Sequence, residues 1–304
     1  MRTAAALLAV ALLTGCATSP SALERSGGRI QVVAAENFWG SLARQVAGDR
    51  ADVSTIIEDP ATDPHDYEAT PSDARAIATA QYVILNGVGY DSWARKLLDA
   101  DPESGRVVLD VGRAVDVNVG GNPHQWYSPS VVDRVIERIA ADLARLDPRD
   151  ADYFARRRAD LETTGLAEYH SLIAQIRRAD ADVPVGASES IVVPLFHALG
   201  VRLETPSAFL DAVAEGNEPT ARDTAVVTRQ IDEHAIEVFV FNRQNATPDV
   251  QRLVDAAEHN GIPIVTVTET LTPKGATFQT WQVAQLRALR DALARVHARE
   301  GSGS

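Results

Sequence analysis

Two histidines stand in nearly the same local setting, His65 in Asp63-Pro64-His65-Asp66-Tyr67 and His124 in Asn122-Pro123-His124-Gln125-Trp126. Each directly follows a proline and sits two residues before an aromatic ring. Proline narrows the conformers of its neighbours, which suits a loop that has to aim an imidazole. Two glutamates join them as candidates, Glu189 in Ser188-Glu189-Ser190 and Glu269 in Thr268-Glu269-Thr270. A pair of neutral imidazoles with a pair of carboxylates balances the charge of a divalent cation, so such a set can hold a metal in a partly buried place. Taken singly, each glutamate also reads as ordinary structure: a helix-capping pattern at Glu189, a solvated strand end at Glu269.

The elements that must position these residues are legible from Ile30 onward. Short β-branched runs alternate with longer amphipathic stretches, and the runs are continuous rather than alternating, as in strands covered on both faces. Parallel α/β layers follow. Strands are expected near Ile30–Ala34, Val53–Ile57, Tyr82–Leu85 and Val107–Asp110, and again near Val183–Ala187, Arg202–Glu204, Glu237–Phe241 and Pro263–Val267. Helices are expected near Phe38–Ala47, Pro71–Ala80, Asp91–Leu98, Ile191–Leu199, Pro219–Glu233, Thr247–Asn260 and Gln279–Ala298. Ser128-Pro129-Ser130 opens a further helix. Asp147-Pro148 then starts one that runs to Ala179 with no strong breaker, crossing only Gly165. Some thirty helical residues span roughly 45 Å, the length of a whole lobe.

The predicted layout is therefore two α/β lobes with parallel sheets, 30–147 and 181–298, joined by one long helix over 148–180, with a ligand cleft between the lobes and a disordered tail at 299–304. In open parallel sheets ligands gather beyond the carboxyl ends of strands. His65, His124, Glu189 and Glu269 each follow a predicted strand, two in each half. Asn242 and Gln244, just after the strand ending at Phe241, are candidates for orienting a ligand from behind. The other five histidines, His170, His197, His234, His259 and His297, fall in or beside predicted helices without partners at ligand spacing.

The opening residues have the layout of a secretory signal. An apolar run from Ala4 to Leu13 is too short for the about 20 residues a bilayer span needs, which gives a signal peptide over 1–15. Leu13-Thr14-Gly15-Cys16 resembles the lipobox of bacterial lipoproteins, which implies lipidation of Cys16 and a flexible tether over 16–29 outside the membrane. Cys16 is the only cysteine, so no disulfide, thiolate metal site or cysteine nucleophile remains. A formal charge of −13 with no basic stripe argues against nucleic-acid partners.

The residues around all four candidates resemble the metal-binding solute-binding proteins of zinc- and manganese-type ABC transporters. Asp-Pro-His-Asp-Tyr-Glu at His65, Asn-Pro-His-Gln-Trp at His124, Ala-Ser-Glu-Ser at Glu189 and Thr-Glu-Thr at Glu269 carry the likeness, as do Glu36-Asn37-Phe38-Trp39-Gly40 and Asn86-Gly87-Val88-Gly89-Tyr90-Asp91. It covers nearly all of residues 30–297. The resemblance implies one divalent ion, Zn2+ or Mn2+, held as cargo by His65, His124, Glu189 and Glu269, and a permease with its ATPase as partners. It implies an extracytoplasmic, membrane-anchored monomer that is not an enzyme. Glu269 departs from the family pattern, which commonly has aspartate there, and the histidine-rich loop of many zinc-dedicated members is missing after His65.

Two rivals stand beside this reading. A His/His/Glu set with an open coordination position also describes metalloenzymes, although the chain has no His-Glu-x-x-His helix. A protein of the same architecture could instead bind a metal chelate or an organic ligand through arginines and aromatics in the cleft.

Overall fold

The computed structural model describes residues 28–59, 62 and 67–302. The signal segment, Cys16, most of the tether and His65 lie outside them. Among the described residues the strands are β1 Ile30–Glu36, β2 Ala51–Ile57, β3 Tyr82–Leu85, β4 Val107–Asp110, β5 Pro184–Ala187, β6 Arg202–Leu203, β7 Val238–Asn242 and β8 Ile264–Val267. The helices are α1 Asn37–Ala47, α2 Pro71–Thr79, α3 Ser92–Ala100, α4 Val111–Ala114, α5 Pro129–Leu146, α6 Ala151–Asp160, α7 Ala167–Ala179, α8 Val193–Leu199, α9 Ser207–Ala214, α10 Ala221–Asp232, α11 Pro248–His259 and α12 Phe278–Ser302.

The strands form two parallel sheets with the same order, β2-β1-β3-β4 and β6-β5-β7-β8. The strand order reverses its progression between β1 and β3, and between β5 and β7, so each sheet has a crevice at the carboxyl end of those neighbours. Both faces of the sheets are covered, and every residue of β3 and of β7 is buried. Gly40 explains how closely one cover sits, since a Cβ there would collide with Thr55 Oγ1 on β2.

One apolar core runs from the first sheet through the helices to the second. Phe38 stacks on Trp126 with ring centroids 4.0 Å apart, and Tyr127, Trp281 and Phe278 continue the contact edge to face. Hydrogen bonds follow the same seam: Leu271 N–H donates to Asn37 Oδ1 at 3.1 Å and Phe278 N–H to Ser41 Oγ at 2.9 Å. A second cluster with Val33, Ile57, Ile77, Val83, Leu85 and Trp93 covers the other face of the first sheet.

The linker is helical but not one unbroken α-helix. It opens as a 3-10 turn at Pro148–Asp150, where the Asp147 side chain accepts from Arg149 N–H. A π turn at Leu161–Gly165 then separates α6 from α7. Its mark is Leu166 N–H bonding back five residues to Leu161 O at 2.8 Å, while the Thr163 hydroxyl bonds Ala159 O at 2.7 Å and competes for the α ladder. The π turn adds a residue without breaking the helix, so α6 and α7 each keep an apolar face on the core. At the far end α12 continues to Ser302, past the expected end at Ala298 and into the segment read as a tail. Packed Ala292, Leu293 and Val296 hold its preceding turns, and propagation beyond a formed helix costs little.

Candidate metal-binding cleft

The crevice beyond β5, β7 and β8 gathers the two glutamates. Glu189 follows β5 and Glu269 follows β8, and both are almost wholly buried. Asn242, the last residue of β7, lies between them. Its Nδ2 donates to Glu189 Oε1 and, at 3.0 Å, to Glu269 Oε1. The strand order β5-β7-β8 places the end of the middle strand between the loops that follow both neighbours. Asn245 Nδ2 holds Glu189 Oε2 at 3.1 Å. From the other lobe the Tyr90 hydroxyl donates to Glu269 Oε2 at 2.9 Å.

Three amide contacts and one phenol contact thus orient the two carboxylates. Two buried carboxylates this close together favour a cation in the space they share. Gln244 fixes the backbone beneath: its Oε1 accepts from Glu269 N–H at 2.6 Å and Thr270 N–H at 3.1 Å. The negative field reaches Tyr127, whose hydroxyl is pushed up chiefly by burial, with the charges of Glu269 and Glu189 adding to it.

His124 approaches from the first lobe and is fully buried. Its ring packs edge-on against Trp126 at 5.2 Å and against Tyr90, the residue bonded to Glu269, at 6.2 Å. Asn122 Oδ1 stands 2.9 Å from His124 Nδ1 and 2.9 Å from His124 N. Asn122 Nδ2 crosses to the second lobe and donates to Ser190 O at 2.7 Å. Beside these residues a cavity of about 530 Å³ opens between the lobes, lined by Tyr90, Asn122, Pro123 and Ser190 and rimmed by Asp211 and Glu215.

A second layer braces the His124 loop. Asn86, at the end of β3, accepts from Trp39 Nε1 at 3.1 Å and donates to Pro123 O at 2.8 Å. Asp91 in turn accepts from Asn86 N–H at 2.6 Å and Gly87 N–H at 2.9 Å. Gly87 is required in that turn, with φ of 74° and no room for a Cβ beside Asp110. Beneath it Glu36 and Asp91 form a buried carboxyl pair. Burial first, and the Asp91 charge second, push the Glu36 acid well above its ordinary range, and burial pushes Asp91 up to about 6.

Both folded-state values exceed the unfolded ones, so the pair contributes stability below the ordinary carboxyl range and loses it as pH rises through about 6 and beyond. Glu36→Gln keeps the shape and removes one titration. We expect its urea midpoint to exceed the parent's at pH 8, with the gap narrowing by pH 5. A gap that is constant across that range would show that the pair does not titrate with folding.

His65 is outside the described residues, but the segment that follows it, from Tyr67 onward, is described. Tyr67 donates to Asp73 Oδ2 at 2.7 Å, and Thr70 and Asp73 form a reciprocal capping box at the start of α2. Among the described residues no group of three His, Cys, Asp or Glu forms a metal-holding cluster. Of the four predicted donors, the structure therefore brings Glu189 and Glu269 onto one amide and places His124 across the cleft from them. His170 and His297 sit elsewhere, against Asp133 and Asp180. Trp39, Trp126 and Trp281 are core residues. Sequence reasoning assigns no role to Tyr90, Asn122, Asn86 or Asn245, although Asn86, Tyr90 and Asn122 lie in stretches that carry the family likeness.

Residues 32–292 match the family described as zinc-uptake complex component A periplasmic, ZnuA. The chain belongs to this family. Among curated relatives, the manganese-binding lipoprotein MntA of Halalkalibacterium halodurans is 28% identical over 154 residues, 49% of this chain and 50% of that protein. The metal ABC transporter substrate-binding lipoprotein FimA of Streptococcus parasanguinis is 24% identical over 289 residues, 87% of this chain and 88% of that one. The fold matches a Mn-bound periplasmic metal-binding protein from Candidatus Liberibacter asiaticus, with a TM-score of 0.74 at 18% identity over 88% of this chain and 100% of that one.

Proposed function

We propose that the chain is the extracytoplasmic solute-binding component of an ABC importer, capturing one divalent transition metal ion, Zn2+ or Mn2+, for a membrane permease and its ATPase. Within that reading His65 and His124 supply two imidazole nitrogens from the first lobe, and Glu189 and Glu269 supply carboxylate oxygens from the second. The observation that carries it is the pair of buried carboxylates beyond β5 and β8, both held by the amide of Asn242 at the end of the strand between them. Such a pair is poised for a cation, and mixed nitrogen and oxygen donors suit both ions. Asn242 and Gln244 orient the carboxylates rather than bind metal.

Four protein donors would close the coordination sphere, which favours capture and release over catalysis and is why we assign no enzymatic activity. Cys16 is assigned as the lipid anchor, placing a monomer at the outer face of the cell membrane. Among the described residues no helix is long and apolar enough to cross a membrane.

Calorimetric titration of metal-stripped protein with Mn2+ and with Zn2+ tests the reading: one saturable site per chain is expected, and no saturable site for either ion would end it. Within the site, Glu269→Asp shortens the side chain by about 1.5 Å, withdrawing it from Tyr90 and Asn242. Affinity should fall about tenfold, as for loss of an orienting contact. Unchanged titration curves for this variant would remove Glu269 from the donor set.

A further inference from the structure

We propose that Asn122 is the positioning residue that sets the His124 tautomer and ties it to lobe closure, an inference that rests on the metal-capture reading. The amide orientation is dictated by two backbone groups of unambiguous character. His124 N–H can only donate, so the Asn122 atom 2.9 Å away is the oxygen. Ser190 O can only accept, so the atom 2.7 Å from it is the nitrogen. With the oxygen thus fixed, His124 Nδ1 at 2.9 Å from the same atom must carry a proton. The neutral ring then presents its lone pair at Nε2, the form a metal-binding imidazole needs.

The second half of the same side chain reaches into the other lobe. Ser190 is the residue after Glu189, so one planar amide joins the imidazole of one lobe to the chain bearing a carboxylate of the other. If the lobes part, the Ser190 contact is lost and the amide is free to rotate, which loosens the tautomer. If the imidazole turns, the latch is weakened. Donor readiness on one side and closure on the other are thereby coupled through a single side chain.

Two variants separate the halves. Asn122→Asp retains an acceptor for both His124 donors but sets a carboxylate oxygen against Ser190 O. Asn122→Ala removes both contacts. Nitrogen-15 NMR of metal-free protein at pH 8 should show His124 in the Nδ1–H tautomer in the parent and in Asn122→Asp, and a shift toward Nε2–H in Asn122→Ala. Mn2+ and Zn2+ affinity should fall about 10- to 100-fold in Asn122→Ala. Asn122→Asp should bind more tightly than Asn122→Ala yet release metal to excess chelator faster than the parent. An unchanged tautomer and affinity in Asn122→Ala, or parent-like release from Asn122→Asp, would overturn the proposal. His124→Ala is the control: if it binds as the parent does, the donor assignment itself has failed, whereas weak binding there with parent-like Asn122→Ala rejects only the role of Asn122.

Discussion

His124→Ala is expected to lose metal affinity by two to three orders of magnitude while remaining folded. Structural four-donor zinc sites bind with roughly 10–16 kcal/mol, so one donor's share is about 2.5–4 kcal/mol, and each 1.4 kcal/mol is about tenfold. The side chain is wholly buried between Trp126 and Tyr90, so its truncation also leaves a small cavity. Stability of the metal-free protein should fall by about 1–3 kcal/mol, the usual range for one core truncation. Calorimetry and urea denaturation on the same preparation separate the two effects. Loss of affinity without loss of the cooperative transition is the expected pattern, and equal affinity in variant and parent would remove His124 from the site.

The second large effect is expected at Asn242. Its amide donates to both Glu189 and Glu269, and hydrogen bonds to charged acceptors contribute about 1.5–3 kcal/mol each. Asn242→Leu is similar in volume but leaves two buried carboxylates facing each other with that donor gone. The metal-free protein should lose about 3–5 kcal/mol at pH 7. A saturating divalent ion should recover much of that loss, because the cation replaces the missing donor, so the metal-induced rise in melting temperature should be larger than in the parent. A variant as stable as the parent, with an unchanged metal response, would show that Asn242 does not hold the carboxylates.

Much of this architecture is legible in the sequence. The strands β1 to β8 lie within two residues of their predicted bounds because strands covered on both faces are written as uninterrupted apolar runs, as in Tyr82–Leu85 and Val238–Phe241. Helix α9 was missed: Ser207–Ala214 is short and follows Thr205-Pro206, which reads as a loop. The π turn at Leu161–Gly165 was missed for another reason, since one extra residue in a helix disturbs periodicity too little to be seen in a charge-rich stretch.

The site was legible in part. Glutamates after β5 and β8 could be named as candidates because parallel sheets place ligands beyond strand ends. That Asn242 would join them depends on strand order, which residue types do not state. Tyr90 and Asn122 were invisible for the same reason, as each makes its decisive contact in the other lobe. A polar residue whose partner is far away in the chain leaves no local pattern to read.

The central claim is that one divalent ion sits between the lobes, bound by His65, His124, Glu189 and Glu269. Anomalous diffraction from crystals of the metal-loaded protein, recorded at the absorption edge of the added ion, tests it most directly. A single strong peak within about 2.0–2.2 Å of imidazole nitrogen and carboxylate oxygen at those four side chains is the predicted result. A peak elsewhere, or one that touches neither His124 nor the Glu189 and Glu269 pair, would contradict it.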